Sequence, residues 1–235
     1  MKTIGLLGGT SWSSTIEYYK LLNKLVNKHM GGHHSAKILL KSIDYHDIMT
    51  HYGKSHDIVA QLLKQEFSAL AALKPDCILI CCNSLHKYYD IIKSELGDDT
   101  PPVFHAVELV AEHLKSKQQK KVLLLATQFT MEDGFFAAIL EKNGIQVTIP
   151  ELNDRQKIEN ILESVMQNQV TTEARNYFAA LTRQYADCES VVLGCTECPL
   201  VLDEQNSCLP IINPIVLQAT HAVAYAMGKH DVNFA

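Results

Sequence analysis

No apolar run in this 235-residue chain approaches the roughly 18 residues that a membrane helix requires, which predicts a protein without a membrane partner. Clusters of basic residues are also scarce. With 21 Lys and Arg against 26 Asp and Glu, the net charge of −5 excludes nucleic acid as the main partner, because phosphate binding needs clustered cations. The densest basic stretch, Lys117, Lys120 and Lys121, reads as a solvated helix end. The opening Met1-Lys2-Thr3-Ile4-Gly5-Leu6-Leu7-Gly8-Gly9 has too short an apolar core for a signal peptide. Low-complexity stretches and long linkers are missing. Seven cysteines, an odd number, fit free thiols in a reducing compartment better than a disulfide framework, so a cytoplasmic location is expected.

What is present is ordinary for a globular protein: 47 % hydrophobic and 20 % charged residues, enough to bury a full core. Short apolar runs at 2–7, 37–43, 77–81, 103–105, 121–126, 146–149, 190–193 and 211–212 predict strands. Between them lie stretches of helical period. Residues 57–73 put Ile58, Leu62, Leu63, Phe67, Leu70 and Leu73 on one stripe, and 155–167 do so with Ile158, Ile161, Leu162 and Val165. Such alternation predicts an α/β fold with parallel sheets flanked by helices.

The chain also repeats itself. Cys77-Ile78-Leu79-Ile80-Cys81-Cys82-Asn83-Ser84 lies over Ser190-Val191-Val192-Leu193-Gly194-Cys195-Thr196-Glu197 without a gap, with Cys82 on Cys195, 113 residues apart. Each half opens with a strand and a small-residue or hydroxyl turn, Gly8-Gly9-Thr10-Ser11 and Ala126-Thr127-Gln128-Phe129-Thr130. Each closes with a Pro-led strand, at Pro102-Val103-Phe104 and Pro210-Ile211-Ile212. Two pseudo-symmetric lobes follow: 1–100 together with 210–235, and 101–209, the last helix returning to the first. In open α/β sheets the ligand sits beyond the carboxyl ends of the strands. A site in the cleft between the lobes is therefore expected.

Cys82 and Cys195 both precede an expected helix start, where unpaired backbone N–H groups favour an anion and lower a thiol below its usual value of about 8.5. Two such groups on opposite faces of a carbon would remove a proton on one side and return one on the other. Cys77, Cys81, Cys188 and Cys208 read instead as small buried hydrophobes. Cys195-Thr196-Glu197-Cys198 has the spacing of a redox or metal pair, but Cys188 and Cys208 supply no second tight pair, so neither a metal nor a cofactor is expected. Gly8-Gly9-Thr10-Ser11 lacks the Lys of a phosphate loop and the third glycine of a dinucleotide turn. It reads either as a carboxylate cradle of backbone N–H groups or as a tight strand-to-helix turn. Asn83, Ser84, Thr127, Thr130 and Thr196 add neutral donors suited to a small carboxylate. His46, after the second strand, reads as a contact for a side-chain acid or as a surface histidine. His86 either orients the Cys82 turn or is simply buried.

These motifs together resemble the aspartate/glutamate racemase superfamily, and the aspartate-racemase branch with its broad-specificity members in particular. The likeness rests on Ile4-Gly5-Leu6-Leu7-Gly8-Gly9-Thr10-Ser11-Trp12 with Glu17-Tyr18-Tyr19, on Cys82-Asn83-Ser84-Leu85-His86, on Leu125-Ala126-Thr127-Gln128-Phe129-Thr130-Met131 and on Gly194-Cys195-Thr196-Glu197. It implies amino-acid racemisation without pyridoxal phosphate, Cys82 and Cys195 as acid/base residues, and usually a homodimer. It also implies that Thr10, Ser11, Asn83, Ser84, Thr127, Thr130 and Thr196 bind the substrate's carboxylate and amino groups. Thr10 stands where Met is common, Ser84 where Thr is usual and Cys198 where an aliphatic is usual. His46 replaces an Arg of archaeal relatives, and their assisting Lys falls on Met166. A hydantoin racemase, maleate isomerase or decarboxylase of the same superfamily, or a silent amino-acid-binding protein, are the alternatives.

Overall fold

The computed structural model describes residues 1–228. The chain divides into two compact units, Met1–Ala106 joined by the segment from Ile215 onward, and Val107–Pro214. Residues 229–235, assigned above to the first lobe, lie outside the described residues.

The first unit runs β1 (Ile4–Gly8), α1 (Trp12–Met30), β2 (Ile38–Ser42), α2 (His46–His51), α3 (His56–Ala71), β3 (Cys77–Ile80) and α4 (Leu85–Ile92). The chain then passes along α5 (Ala106–Ser116) into the second unit. There it runs β4 (Lys121–Leu125), α6 (Gln128–Asp133), α7 (Phe135–Lys142), β5 (Gln146–Thr148), α8 (Leu152–Met166), α9 (Thr172–Gln184), β6 (Ser190–Leu193), α10 (Cys198–Val201) and β7 (Ile211–Ile212). It returns through α11 (Pro214–Ala226).

Both sheets are parallel, in the orders β2-β1-β3 and β5-β4-β6-β7. Val103 lies alongside Ile78 as an isolated parallel bridge rather than a strand, which completes the same four positions in the first sheet. The expected strand at 103–105 is thus reduced to one bridged residue. Pro102 accounts for part of this: it has no N–H for a ladder, and its carbonyl accepts from Ile78 at 2.9 Å, while the Phe104 N–H donates back to the Ile78 carbonyl.

Side chains alternate across a strand, so each sheet face gathers its own core. In the first unit Ile4, Leu6, Cys77, Leu79 and Cys81 pack with Tyr18, Leu22 and Val26 of α1 and Ile215, Ala219 and Val223 of α11. Leu7, Ile78 and Ile80 face the other way, onto Val59, Leu63, Phe67 and Leu70 of α3 and Leu85, Tyr88 and Ile92 of α4. The α3 stripe is rotated from its expected position. Ile58 is 39 % exposed and Leu73 60 %, while Val59 and Ala60 are buried. Leu73 falls beyond the helix end, and Val59 rather than Ile58 continues the Leu63–Phe67–Leu70 seam at helical spacing. In α8, Ile158, Leu162 and Val165 are buried as expected.

Both sheets end their central strand pairs alike. The Cys81 N–H donates to the Leu7 carbonyl at 2.9 Å, and the Gly194 N–H donates to the Leu125 carbonyl at 2.7 Å. The repeat seen in the sequence is therefore a repeat of backbone structure, with a cysteine as the next residue in each case.

Candidate active site

The turn after β1 needs glycine twice. Gly9 has φ +94°, and a Cβ there would lie 2.2 Å from the Ile43 carbonyl oxygen. A Cβ on Gly8 would lie 2.4 Å from the Thr15 methyl. The Gly9 N–H donates to the Thr15 hydroxyl at 3.0 Å, which in turn donates to the Ser11 carbonyl at 2.9 Å. That N–H is therefore spent inside the turn, which favours the tight-turn reading of Gly8-Gly9 over a cradle of backbone donors. Ser11 caps α1 by accepting from the Ser14 N–H, and its hydroxyl lies 2.9 Å from that of Ser13. Thr10 reaches across to the cysteine strand, donating from Oγ1 to the Cys81 carbonyl at 3.3 Å.

Cys82 is half-buried at the carboxyl side of β3, its sulfur 3.4 Å from the Ser84 hydroxyl. Asn83 is buried beside it. Two tyrosines also belong to these surroundings: Tyr18, of the Glu17-Tyr18-Tyr19 motif, and Tyr52, which the sequence did not single out. Burial above all, and then the neighbouring Cys82 thiol, raises the Tyr52 phenol far above its usual value, while a hydrogen bond with Ser84 acts the other way. Tyr18 is raised by complete burial, then by Cys81 and Cys82. Both phenols therefore stay neutral. The Tyr18 hydroxyl donates to Gln218 Oε1 at 2.5 Å, and Gln218 Nε2 donates to the Phe104 carbonyl at 2.7 Å and lies 3.3 Å from His86 Nε2. His86 is fully buried; desolvation first, and His105 second, lower its pKa well below the usual value and keep it neutral. Its Nε2 also accepts from the Ala106 N–H at 3.4 Å. His46 is exposed at the start of α2, its N–H bonded to Asp44 Oδ1 at 3.1 Å.

In the second unit, Thr127 caps α6, and its hydroxyl lies 2.9 Å from that of Thr130. The Leu125 carbonyl joins this turn to the next, accepting from the Gly194 N–H and, at 3.5 Å, from the Cys198 thiol. A Cβ on Gly194 would come 2.9 Å from that of Ala126, so glycine lets the two turns close on each other. Cys195 is buried and donates its thiol proton to Glu197 Oε2 at 3.0 Å; the Thr196 hydroxyl donates to the same oxygen at 2.8 Å. Glu197 is 2 % exposed, and its Oε1 has no hydrogen-bond partner among the described residues. The hydrogen bond with Cys198, then burial, then the Glu197 charge raise the Cys195 thiol well above its usual range. Cys195 therefore rests protonated, contrary to the lowered value expected of a thiol before a helix start. The helix is only the four residues of α10, and the Cys198 contact, burial and the adjacent carboxylate together outweigh it.

The structure thus draws Thr10, Cys82, Asn83 and Ser84 to one strand end, and Thr127, Thr130, Cys195 and Thr196 to the matching one. The sequence reading missed Tyr52 and Gln218, and gave no role to Glu197 or Tyr18, although both stand in the family motifs. Glu197 stands inside the quoted Gly-Cys-Thr-Glu motif, and its burial is what gives it chemical weight. Cys208 is exposed rather than buried, since it sits on the loop before β7. Among the described residues no three His, Cys, Asp or Glu side chains are grouped so as to hold a metal ion, and no helix is long and apolar enough to cross a membrane.

Comparison with known proteins gives these elements a context. A Yersinia pestis structure, whose Asp/Glu racemase assignment is itself provisional, is 33 % identical, with a TM-score of 0.85 over 97 % of this chain and 100 % of that one. The Picrophilus torridus aspartate racemase shares the fold at TM-score 0.80 and 22 % identity, over 98 % of this chain and 96 % of that one. The broad specificity amino-acid racemase RacX of Bacillus subtilis is 25 % identical over 150 residues, 63 % of this chain and 64 % of its own length. A glutamate racemase of Actinobacillus pleuropneumoniae is 25 % identical over 57 % of this chain and 50 % of its own. The chain therefore spans between half and two thirds of the curated relatives it matches. The pattern of the Asp/Glu/hydantoin racemase family matches residues 7–222, from the first strand into the last helix, and the chain belongs to that family.

Proposed function

We propose that this protein is an amino-acid racemase that works without pyridoxal phosphate, with Cys82 and Cys195 as the two acid/base residues. The observation that carries this reading is the equivalence of the two sulfurs. Each follows a residue whose N–H closes the central strand pair, at Cys81 to Leu7 and at Gly194 to Leu125. One sulfur, as thiolate, takes the α-proton, and the other, as thiol, delivers its proton to the opposite face of the carbanion. The products are the mirror-image amino acid and an enzyme with its proton moved from one sulfur to the other.

A thiolate is a far weaker base than an α-carbanion, so donors must stabilise the charge that develops on the carboxylate. Thr10, Ser11, Asn83, Ser84, Thr127, Thr130 and Thr196 supply them in this proposal, and His46 meets the side-chain acid of an aspartate- or glutamate-like substrate. The neighbours of the two cysteines differ in charge: hydroxyls at Cys82, a buried carboxylate at Cys195. Glu197 favours the protonated form of Cys195, which suits that residue to the acid role in the resting enzyme.

The test is α-proton exchange in D₂O with each enantiomer of aspartate and glutamate, followed by loss of optical rotation across the proteinogenic amino acids. Deuterium entering from either enantiomer is the expected result. Binding without exchange would overturn the proposal.

A further inference from the structure

We propose that Cys195 and Cys198 form a reversible disulfide when the protein meets a hydroperoxide, which makes this turn an oxidative modification site. The backbone supports the closure. The Cys198 N–H donates to the Cys195 carbonyl at 3.2 Å. A turn closed in that way brings its end Cα atoms within about 7 Å, the range a disulfide spans. Both side chains are buried at 8 % and 0 % exposure, and each thiol donates within this enclosed turn region, Cys195 to Glu197 Oε2 at 3.0 Å and Cys198 to the Leu125 carbonyl at 3.5 Å.

The internal repeat shows that packing alone does not demand the second sulfur. Offset by the 113 residues that carry Cys82 onto Cys195, Cys198 corresponds to Leu85. Leu85 fills its position in the first unit as a fully buried apolar side chain. The thiol at 198 is thus a feature of the second half only, set beside the more enclosed of the two cysteines.

The chemistry balances without any metal. The Cys195 thiol rests protonated, so its proton passes to Glu197 Oε2, 3.0 Å away, only transiently as the peroxide is attacked. The thiolate attacks one peroxide oxygen; an S–O bond forms, the O–O bond breaks, and the departing oxygen leaves as water after taking a proton. Cys198 then attacks the sulfenic sulfur. An S–S bond forms, the S–O bond breaks, and a second water leaves with the Cys198 proton. Two thiols are oxidised and one hydrogen peroxide is reduced to two waters. A dithiol reverses the change by exchange, and itself ends as a disulfide. A thiol beside a resolving thiol stops at the disulfide, whereas a lone sulfenic acid proceeds to irreversible sulfinic and sulfonic acids. The proposal rests on the racemase reading only for its consequence, the loss of one acid/base group.

The sequence provides a direct assay. Cleavage after glutamate cuts behind Glu189, Glu197 and Glu204, giving peptides 190–197 and 198–204 with one cysteine each. The intact protein is treated with excess hydrogen peroxide, quenched, blocked with N-ethylmaleimide under acid denaturation, digested and weighed. The expected product is the two peptides crosslinked, two hydrogens lighter than their sum, and released by dithiothreitol. Exchange activity should fall in proportion to the crosslink and return on reduction. In Cys198→Ala, peptide 190–197 should instead gain one to three oxygens, with a loss of activity that dithiothreitol does not reverse. Oxygen addition in the native protein to the same extent as in Cys198→Ala, or a crosslink of Cys195 to any other cysteine, overturns the proposal. If Cys198→Ala does not fold, the native digest alone decides. A crosslink in a protein that shows no α-proton exchange leaves the disulfide standing and removes the racemase reading. Exchange with no crosslink does the reverse.

Discussion

The Cys195 thiol donates to Glu197 Oε2 across 3.0 Å, two residues along the same buried turn. Thiol and carboxylate compete for protons there, and the negative neighbour helps hold the proton on sulfur. Glu197→Gln keeps an acceptor oxygen and removes the charge. The pH profile of Cys195 alkylation by iodoacetamide should then move to lower pH, while α-proton exchange falls at least about tenfold, as for loss of a general acid/base partner. A profile that stays in place or moves upward would remove Glu197 from any protonic role.

Cys82→Ser and Cys195→Ser should each lower racemisation by orders of magnitude, because a serine hydroxyl is neither acid nor base near neutral pH. Cys77→Ser is the matched control. Cys77 lies five residues before Cys82 and is fully buried in the core under α1 and α11. Its hydroxyl replacement should cost stability, roughly 1–3 kcal/mol for a buried polar group without a partner, and leave turnover per folded molecule unchanged. Near-full turnover in Cys82→Ser would end the two-base proposal. Urea denaturation and optical rotation measure the two effects separately.

Much of this was legible in the sequence because it depends on local pattern. Seven expected strands appear, since runs such as Cys77-Ile78-Leu79-Ile80 are buried on both faces and read as continuous apolar segments. The pairing of Cys82 with Cys195 was visible because a strand end and its turn repeat together. The charge state of Cys195 was not legible. It depends on the contact with Cys198 and on burying Cys195 beside Glu197, and burial is set by what the rest of the unit packs over the turn. The same holds for Tyr18 and Gln218, 200 positions apart, whose contact depends on α1 and α11 packing on the same sheet face. The α3 stripe was misread by a rotation because Ile58 and Val59 are both apolar, and only the packed seam distinguishes them.

Gly9→Ala should be severely destabilising, and Gly31→Ala only mildly so. Both glycines have positive φ, +94° and +69°. An L-residue in such a conformation costs of order 1–3 kcal/mol. At Gly31 a Cβ meets nothing within 4 Å, so that term stands alone. At Gly9 the Cβ would also press on backbone, 2.2 Å from the Ile43 oxygen and 2.5 Å from its nitrogen, and neither can rotate away. Denaturation midpoints of the two variants compare the terms directly. Equal losses would mean that the β1 turn relaxes freely around the added Cβ.

Stability should decline above about pH 8.5, and Cys77 should account for a definable part of the decline. Burial first, with the Asp76 charge adding and Lys2 opposing, pushes the Cys77 thiol up to about 12. In the unfolded chain a thiol loses its proton near 8.5. Between those values the unfolded state binds fewer protons than the native state, so unfolding free energy falls as pH rises, by about 1.4 kcal/mol per pH unit for each such thiol. Cys81 and Cys195 are raised as well and contribute in the same direction. Replacing Cys77 by Ala removes one titration and leaves a small cavity whose cost does not depend on pH. The stability gap between the native protein and Cys77→Ala should therefore narrow by about 2 kcal/mol from neutrality to about pH 10, measured by urea unfolding under reducing conditions. A gap that stays constant would mean that the thiol meets water in the native state and that the core beneath α1 and α11 admits solvent.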